Sequence, residues 1–398
     1  MSRPDAVKGL DRVLWEWAKG GSEEPIAAWL GRELDASGGP RRLSITEWVV
    51  CAHLAANARK RRHDWSAQTD DAVIDLINAA ARFHLPDDRI LTQPLSGEND
   101  RIDGLSMLPS RLGRLGVPRR AVCEGWASSG RVLACLGEPT KAALAVAQGG
   151  ADAEPRTIDF TLAGQSWLGP RWTVAKATDA QARGKPKTGL TEAAAGFHEW
   201  RSRDPHATVS CTIALFQGLG LAVIAAFVEV SDQHPELSMR IAIPEGVSTT
   251  PIPGVRGLQL DARTAKPASV QLLPVGLPSG DYPTERGRLV ALGNEVVLAH
   301  ARAGKKGWLP LVVSWNARRR GKPVTWRSLT ITEKGKHVPP ERASAARITW
   351  GRDETYLLYR SHAKPALRAF LGHCTTTRFL FAKFDKDGTV TPIFKLDD

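Results

Sequence analysis

From residue 157 onward the chain is a series of short apolar runs cut by turn residues, and this pattern narrows the folds open to it. TIDFTL, PRWTV, ATVSCTIALF, LAVIAAFVEV, LSMRIAI, SVQLLPV, RLVAL and EVVLAHA are each about one strand long and rich in β-branched or aromatic residues. The same rhythm continues to the C-terminus, with turns at Gly335, at Gly351-Arg352-Asp353 and at Asp387-Gly388, the last a strong type I′ hairpin signal. About fourteen such runs at roughly ten-residue spacing predict a large antiparallel β-sandwich over 155–398 rather than a parallel α/β sheet. No repeat of propeller type is present. The polar segment from Thr178 to Thr188 is expected to be a mobile loop between strands.

Residues 1–150 have a different period. Val13, Leu14 and Trp17, then Ile26, Trp29 and Leu30 after a Gly-Gly break, recur at three- and four-residue spacing. Ser44 and Glu47 fit a capping box that opens a helix carrying Trp48, Val49, Cys51 and Leu54. That helix closes on Arg59-Lys60-Arg61-Arg62, charges suited to a helix C-terminus. A third periodic stretch, Asp70 to His84, buries Val73, Ile74 and Ile77, and the Pro- and Gly-rich stretch 86–118 reads as loop. Ala121 to Leu136 and Lys141 to Ala147 read as two further helices. The expected architecture is thus α+β and multidomain: an α-helical domain over 1–150, then the sandwich, with the change of character near Gly149-Gly150.

Charge sets the C-terminal quarter apart. The chain holds 54 Lys and Arg against 42 Asp and Glu, and residues 301–398 hold 20 against 8, so the entire excess lies there. A surplus of this size attracts polyanions; Lys and Arg on strands also protect sheet edges from pairing. Its densest point is the turn Arg318, Arg319, Arg320 and Lys322, between Trp315 and Trp326. Guanidinium groups beside aromatic rings suit carboxylated or sulfated sugars and phosphates alike, so acidic polysaccharide and nucleic acid are both candidate partners. As turn charges, these are expected to bind without contributing to folding.

Other classes are excluded or disfavoured. The 5 cysteines are scattered, with no C-x-x-C, which favours free thiols in a reducing, cytoplasmic setting. The longest apolar run, Leu219 to Val230, contains Gly220 and Glu229 and is too short to span a bilayer. Walker A, G-x-S-x-G, H-E-x-x-H and EF-hand motifs are absent, and Gly218-Leu219-Gly220 lacks the third glycine of a dinucleotide loop. No metal cluster and no cofactor is indicated, although His198, His300, His362 and His373 lie in or beside expected strands and are free to converge in space.

The segment TIDFTLAGQSWLGPRWTV, the long strand pair through Val230 and the tail from WRSLTITEKGKHVPP to the C-terminus together resemble the β-sandwich of heparinase II/III-like polysaccharide lyases. The resemblance covers roughly residues 155–398. It implies an α/α toroid before the sandwich, and β-elimination on uronic-acid polysaccharides. In that chemistry an uncharged Tyr or His removes the proton α to a carboxylate, which Asn, Arg or His neutralises. Residues 1–150 contain no tyrosine, so a base must come from the β region or be a histidine. The stretch Tyr356 to His362 alone groups Tyr, Arg and His closely, which makes Tyr359 and His362 the catalytic candidates under this resemblance.

Overall fold

The three- and four-residue apolar spacing forms four helices, α1 (Asp5–Ala18), α2 (Glu24–Glu33), α3 (Ile45–Arg61) and α4 (Ala67–Ala81). The structure, a computed structural model, describes residues 5–34, 43, 45–61, 65–81, 123–128, 131–138, 141–148, 157–169, 171–174, 181–190, 195–203, 207–230, 236–262, 268–281, 286–301 and 305–397. Ser44, Arg62, the 86–118 stretch and Gly149-Gly150 lie outside these residues. Leu10, Trp17, Ile26, Trp29, Trp48, Val73 and Ile77 share one core, as the spacing predicts. At the basic end of α3, Arg59 donates from Nε and Nη2 to the Asp70 carboxylate at 2.5 and 2.9 Å, which ties α3 to α4.

The next segment departs from expectation. Residues read as two short helices are strands β1 (Cys123–Ser128), β2 (Arg131–Glu138) and β3 (Ala142–Gln148). With β4 (Thr157–Leu162) and β5 (Gln165–Leu168) they form a five-stranded sheet in sequence order. Alanine content in AALAVAQ mimics a helix, but β3 is buried on both faces: Ala143 and Ala145 join the helical core, while Leu144 and Val146 join the sandwich core. Tertiary burial overrides the local preference here.

The remaining strands are antiparallel throughout. A four-stranded sheet runs β15 (Gly287–Leu292), β16 (Glu295–Ala301), β11 (Glu236–Ala242) and β6 (Trp172–Val174). The central eight-stranded sheet runs β12 (Val247–Pro251), β13 (Leu258–Ala262), β14 (Ala268–Leu273), β17 (Lys306–Ser314), β10 (Leu221–Val230), β9 (Ala207–Phe216), β8 (Ala195–Arg203) and β7 (Gln181–Leu190). A five-stranded sheet runs β18 (Val324–Ser328), β21 (Ala343–Trp350), β22 (Glu354–Ser361), β25 (Phe379–Phe384) and β26 (Val390–Leu396). The last sheet is small, ordered β20 (Lys336–His337), β19 (Thr332–Glu333), β23 (Arg368–Phe370) and β24 (His373–Thr375).

The central sheet explains the longest apolar run. On β10, Ala222, Ile224 and Val228 face one core and Leu221, Val223 and Ala225 face another. A strand covered on both sides reads as continuous apolar sequence. Among the described residues no helix is long and apolar enough to cross a membrane. The segment expected as a loop near 178–188 is largely β7, the edge strand of this sheet, paired to β8 with a register shift between Arg183 and Lys187. Its Pro and Gly suit an edge position. The architecture is α+β, helices first and an antiparallel β-sandwich after them, as the sequence predicts.

Candidate functional site

Strand alternation decides the fate of the catalytic candidates on β22. Tyr359 points to the face shared with the small sheet and is completely buried, its ring stacked on Phe370 at 5.2 Å. Its hydroxyl accepts from Arg368 Nη1 at 3.2 Å, and the same guanidinium donates to Ser361 Oγ at 2.6 Å and Glu333 Oε2 at 3.0 Å. Tyr359 therefore sits inside a polar clasp between two sheets, behind wall residues such as Ala345 and not itself on the surface of the cavity described below. His362 lies beyond the strand end, where its ring stacks on Phe227 at 4.1 Å and 8° and stands 5.4 Å from Trp308.

The arginine turn divides in the same way. Arg318, Arg320 and Lys322 are exposed, and Arg320 Nε donates to Ser269 Oγ at 3.3 Å. Arg319 instead turns inward and is 1% exposed. It donates to Glu354 Oε1 at 3.1 and 2.6 Å, to Ser314 Oγ at 3.2 Å and to the Gly220 carbonyl at 3.4 Å, with its guanidinium 4.5 Å from the Trp350 ring centroid. Burial alone would raise the Glu354 carboxyl, but Arg319, Tyr356 and Lys322 together hold it below the usual range. Burial and the Glu354 charge push the Tyr356 phenol up to about 12. The flanking tryptophans are not open platforms. Trp326 is buried, with Nε1 donating to the Leu277 carbonyl at 2.7 Å, and Trp315 packs on Phe160 at 5.1 Å.

Among the described residues a concave feature lies elsewhere, where β16 and β17 meet the five-stranded and small sheets. It has a volume of about 620 Å³, and its polar and aromatic lining includes Arg286, His300, Trp308, His337, Glu341 and Ser344. Volumes of this order suit a bound small ligand or a few sugar units. Its residues converge through strand pairing. Gly287 stands opposite His300 with φ +135°, and a Cβ there would fall 2.1 Å from the Ala299 carbonyl oxygen, so only glycine permits this approach. The ladder continues to Arg286, whose carbonyl accepts from the Ala301 amide at 3.0 Å, and both Arg286 and His300 line the cavity. Trp308 arrives on β17 opposite Phe227. His337 comes from the β19–β20 hairpin and Glu341 from the turn in which Arg342 N donates to the Pro339 carbonyl at 2.9 Å.

Of the four histidines that strand positions leave free to converge, two lie near one indole. Trp308 lines the cavity with His300, and its ring stands 5.4 Å from that of His362. His198 is fully buried beside Trp200, where desolvation lowers its pKa to about 4 against the raising effect of Glu199. His373 packs on Phe370, its pKa lowered by burial. Arg286, His337 and Glu341 are lining residues without a local motif, brought together from segments far apart in the chain. Among the described residues no group of His, Cys, Asp and Glu is arranged to hold a metal ion.

No protein-family model and no curated protein sequence matches this chain. Solved structures do. A heparan sulfate lyase HepC mutant from Pedobacter heparinus superposes with TM-score 0.57 at 9% identity, over 93% of this chain and 65% of the lyase. The heparinase III BT4657 gene product gives 0.54 at 12% identity over 88% and 64%, and a further heparinase III gives 0.54 at 8% over 85% and 62%. The chain shares its fold with the heparinase III lyases. It spans less than two thirds of their length, at 62–65%. The resemblance read from residues 155–398 is thus matched by a likeness of fold that takes in most of this chain.

Proposed function

We propose that the protein recognises acidic, uronate-bearing polysaccharide, with the cavity walled by Arg286, His300, Trp308 and His337 as its principal site. The observation that carries this reading is the likeness to a heparan sulfate lyase over 93% of the chain. The cavity supplies the matching chemistry: an exposed guanidinium for bidentate pairing with a carboxylate and imidazoles able to take or give a proton, over the buried Trp308. Elimination at a uronate needs an uncharged base next to a neutralised carboxylate, and His300 and Arg286, which line the same cavity, are the residues for those two roles without a tyrosine. Tyr356 and Tyr359 are both buried and engaged by arginines. His362 packs beside Trp308, and the exposed Arg318, Arg320 and Lys322 extend the basic surface along which a polyanion approaches.

The test is retention of heparan sulfate, an unsulfated uronate polymer, and single- and double-stranded DNA at rising salt, with ultraviolet absorbance of unsaturated uronate as the turnover readout. Wild type is expected to retain the uronate polymers over DNA, with affinity falling as salt rises. Arg286→Gln and His300→Ala should weaken that retention roughly tenfold each. Equal retention of DNA and polysaccharide, insensitive to both substitutions, would reject this site and leave a general polyanion surface.

A further inference from the structure

On the outer face of the five-stranded sheet two arginines stand directly opposite each other. Arg327 of β18 pairs in register with Arg347 of β21. Their neighbours in the ladder, Trp326 and Ile348, belong to the buried core, so alternation sends both guanidinium groups outward. Like charges in directly opposed positions destabilise a sheet. Six other described arginines sit against carboxylates: Arg319 on Glu354, Arg360 and Arg378 on Glu199, Arg368 and Arg342 on Glu333, and Arg288 on Glu236. Among the described residues no carboxylate pairs with Arg327 or Arg347. Partial burial and then the Arg327 charge both disfavour the charged form of Arg347.

The surroundings complete an anion cradle. Two residues along the same face lies a row of threonines, with Thr325 opposite Thr349 and Thr349 opposite Thr355, whose Oγ1 atoms are hydrogen-bonded at 3.2 Å. Threonine hydroxyls thus flank two forked guanidinium groups, Arg327 exposed and Arg347 half-buried, beside the part of this face that the small sheet covers. The position is also informative. Arg327 precedes Ser328, and Leu329 and Ala345 follow on the cavity wall. In the other direction Lys322 lies in the turn just before the strand begins at Val324.

We propose that Arg327 and Arg347 form an oxyanion site that takes one sulfate or carboxylate group of an acidic polysaccharide lying along β18 between the arginine turn and the cavity. As a polysaccharide subsite this rests on the function proposed above; as an oxyanion site it is tested separately. The repulsion built into the unliganded pair is relieved when a doubly hydrogen-bonded anion bridges the two groups. Two arginines kept opposite each other, away from every described carboxylate, are thereby put to use.

The experiment measures thermal unfolding of the full chain in sodium sulfate against sodium chloride at matched ionic strength. Wild type is expected to show a saturable upward shift in Tm specific to sulfate, on top of the general salting effect. Arg347→Gln should lose the saturable part. Arg327→Glu should also lose it, while unfolding no lower than wild type in chloride, because it converts the repulsive pair into an opposite-charge pair. Heparan sulfate affinity should fall roughly tenfold in either variant. A sulfate response identical in all three proteins would overturn the site. If wild type binds no polysaccharide yet the sulfate response disappears in the variants, the polysaccharide reading fails and the oxyanion site stands.

Discussion

The three consecutive arginines of the β17–β18 turn make a sharp comparison, because the same residue type occupies three different environments. Replacing Arg319 with Gln removes two charge-assisted donors to Glu354, at 3.1 and 2.6 Å, and the bond to Ser314 Oγ at 3.2 Å. It also removes the cation stacked 4.5 Å from the centroid of Trp350. Breaking a buried ion pair by removing one member typically costs about 3–5 kcal/mol. Glu354 keeps 26% of its side-chain surface, so water recovers part of that, and the expected loss is about 2–4 kcal/mol. Arg318→Gln and Arg320→Gln, at exposed positions, should each stay within about 0.5 kcal/mol of wild type. Urea unfolding followed by tryptophan fluorescence reads all three: the midpoint should drop only for Arg319→Gln, at unchanged m-value. Equal small effects at the three positions would refute the assignment of Arg319 to the interior.

Two further predictions concern strand β8. His198 is neutral in the folded chain, with a pKa lowered by burial to about 4 from an ordinary 6.5, so between those values the unfolded chain binds the extra proton. Stability should therefore be full above pH 6.5 and fall by up to about 3 kcal/mol as pH drops toward 4. Urea titrations across that range should show the slope, and His198→Asn should flatten it; an unchanged slope would clear His198. On the opposite face of β8, Glu199 pairs with Arg360 and accepts from Arg378 Nη2 at 2.8 Å. Glu199→Gln leaves the buried Arg360 charge uncompensated and should cost about 3–5 kcal/mol, and a change in urea midpoint corresponding to under about 1 kcal/mol would show that the pair is dispensable.

Much of this fold is legible in local pattern, and the exceptions have definite causes. Helices α1 to α4 follow the spacing of Trp17, Ile26, Trp29, Trp48 and Val73, and the strand series beyond Thr157 follows β-branched runs between turns. Strands β1 to β3 escape the same reading because Ala143 and Ala145 are small for the sake of the helices that lie on them, a reason no local window contains. Strand β7 was hidden by its own edge chemistry, since a Pro- and Lys-bearing edge strand looks like a loop. The turn arginines looked alike because Arg319's partner is Glu354, 35 residues away. The cavity was harder still: Arg286, His300, Trp308, His337 and Glu341 come from separate strands and turns. Only His300 had been singled out, among four scattered imidazoles.

Strand β3 has a mechanical consequence. Its odd-numbered alanines, Ala143 and Ala145, join the helical core, while Leu144 and Val146 lie in the sandwich core, so along β3 a single backbone separates two hydrophobic interiors. Interiors packed to crystal-like density transmit strain rather than absorb it. A helix displaced against this wall therefore pushes on β3, and the ladder from β3 to β2 and β4 carries the displacement across the first sheet. The helical layer is in this respect less a lid resting on the sandwich than a load borne by it. Motion of either side at this junction is felt on the other within a single strand's thickness.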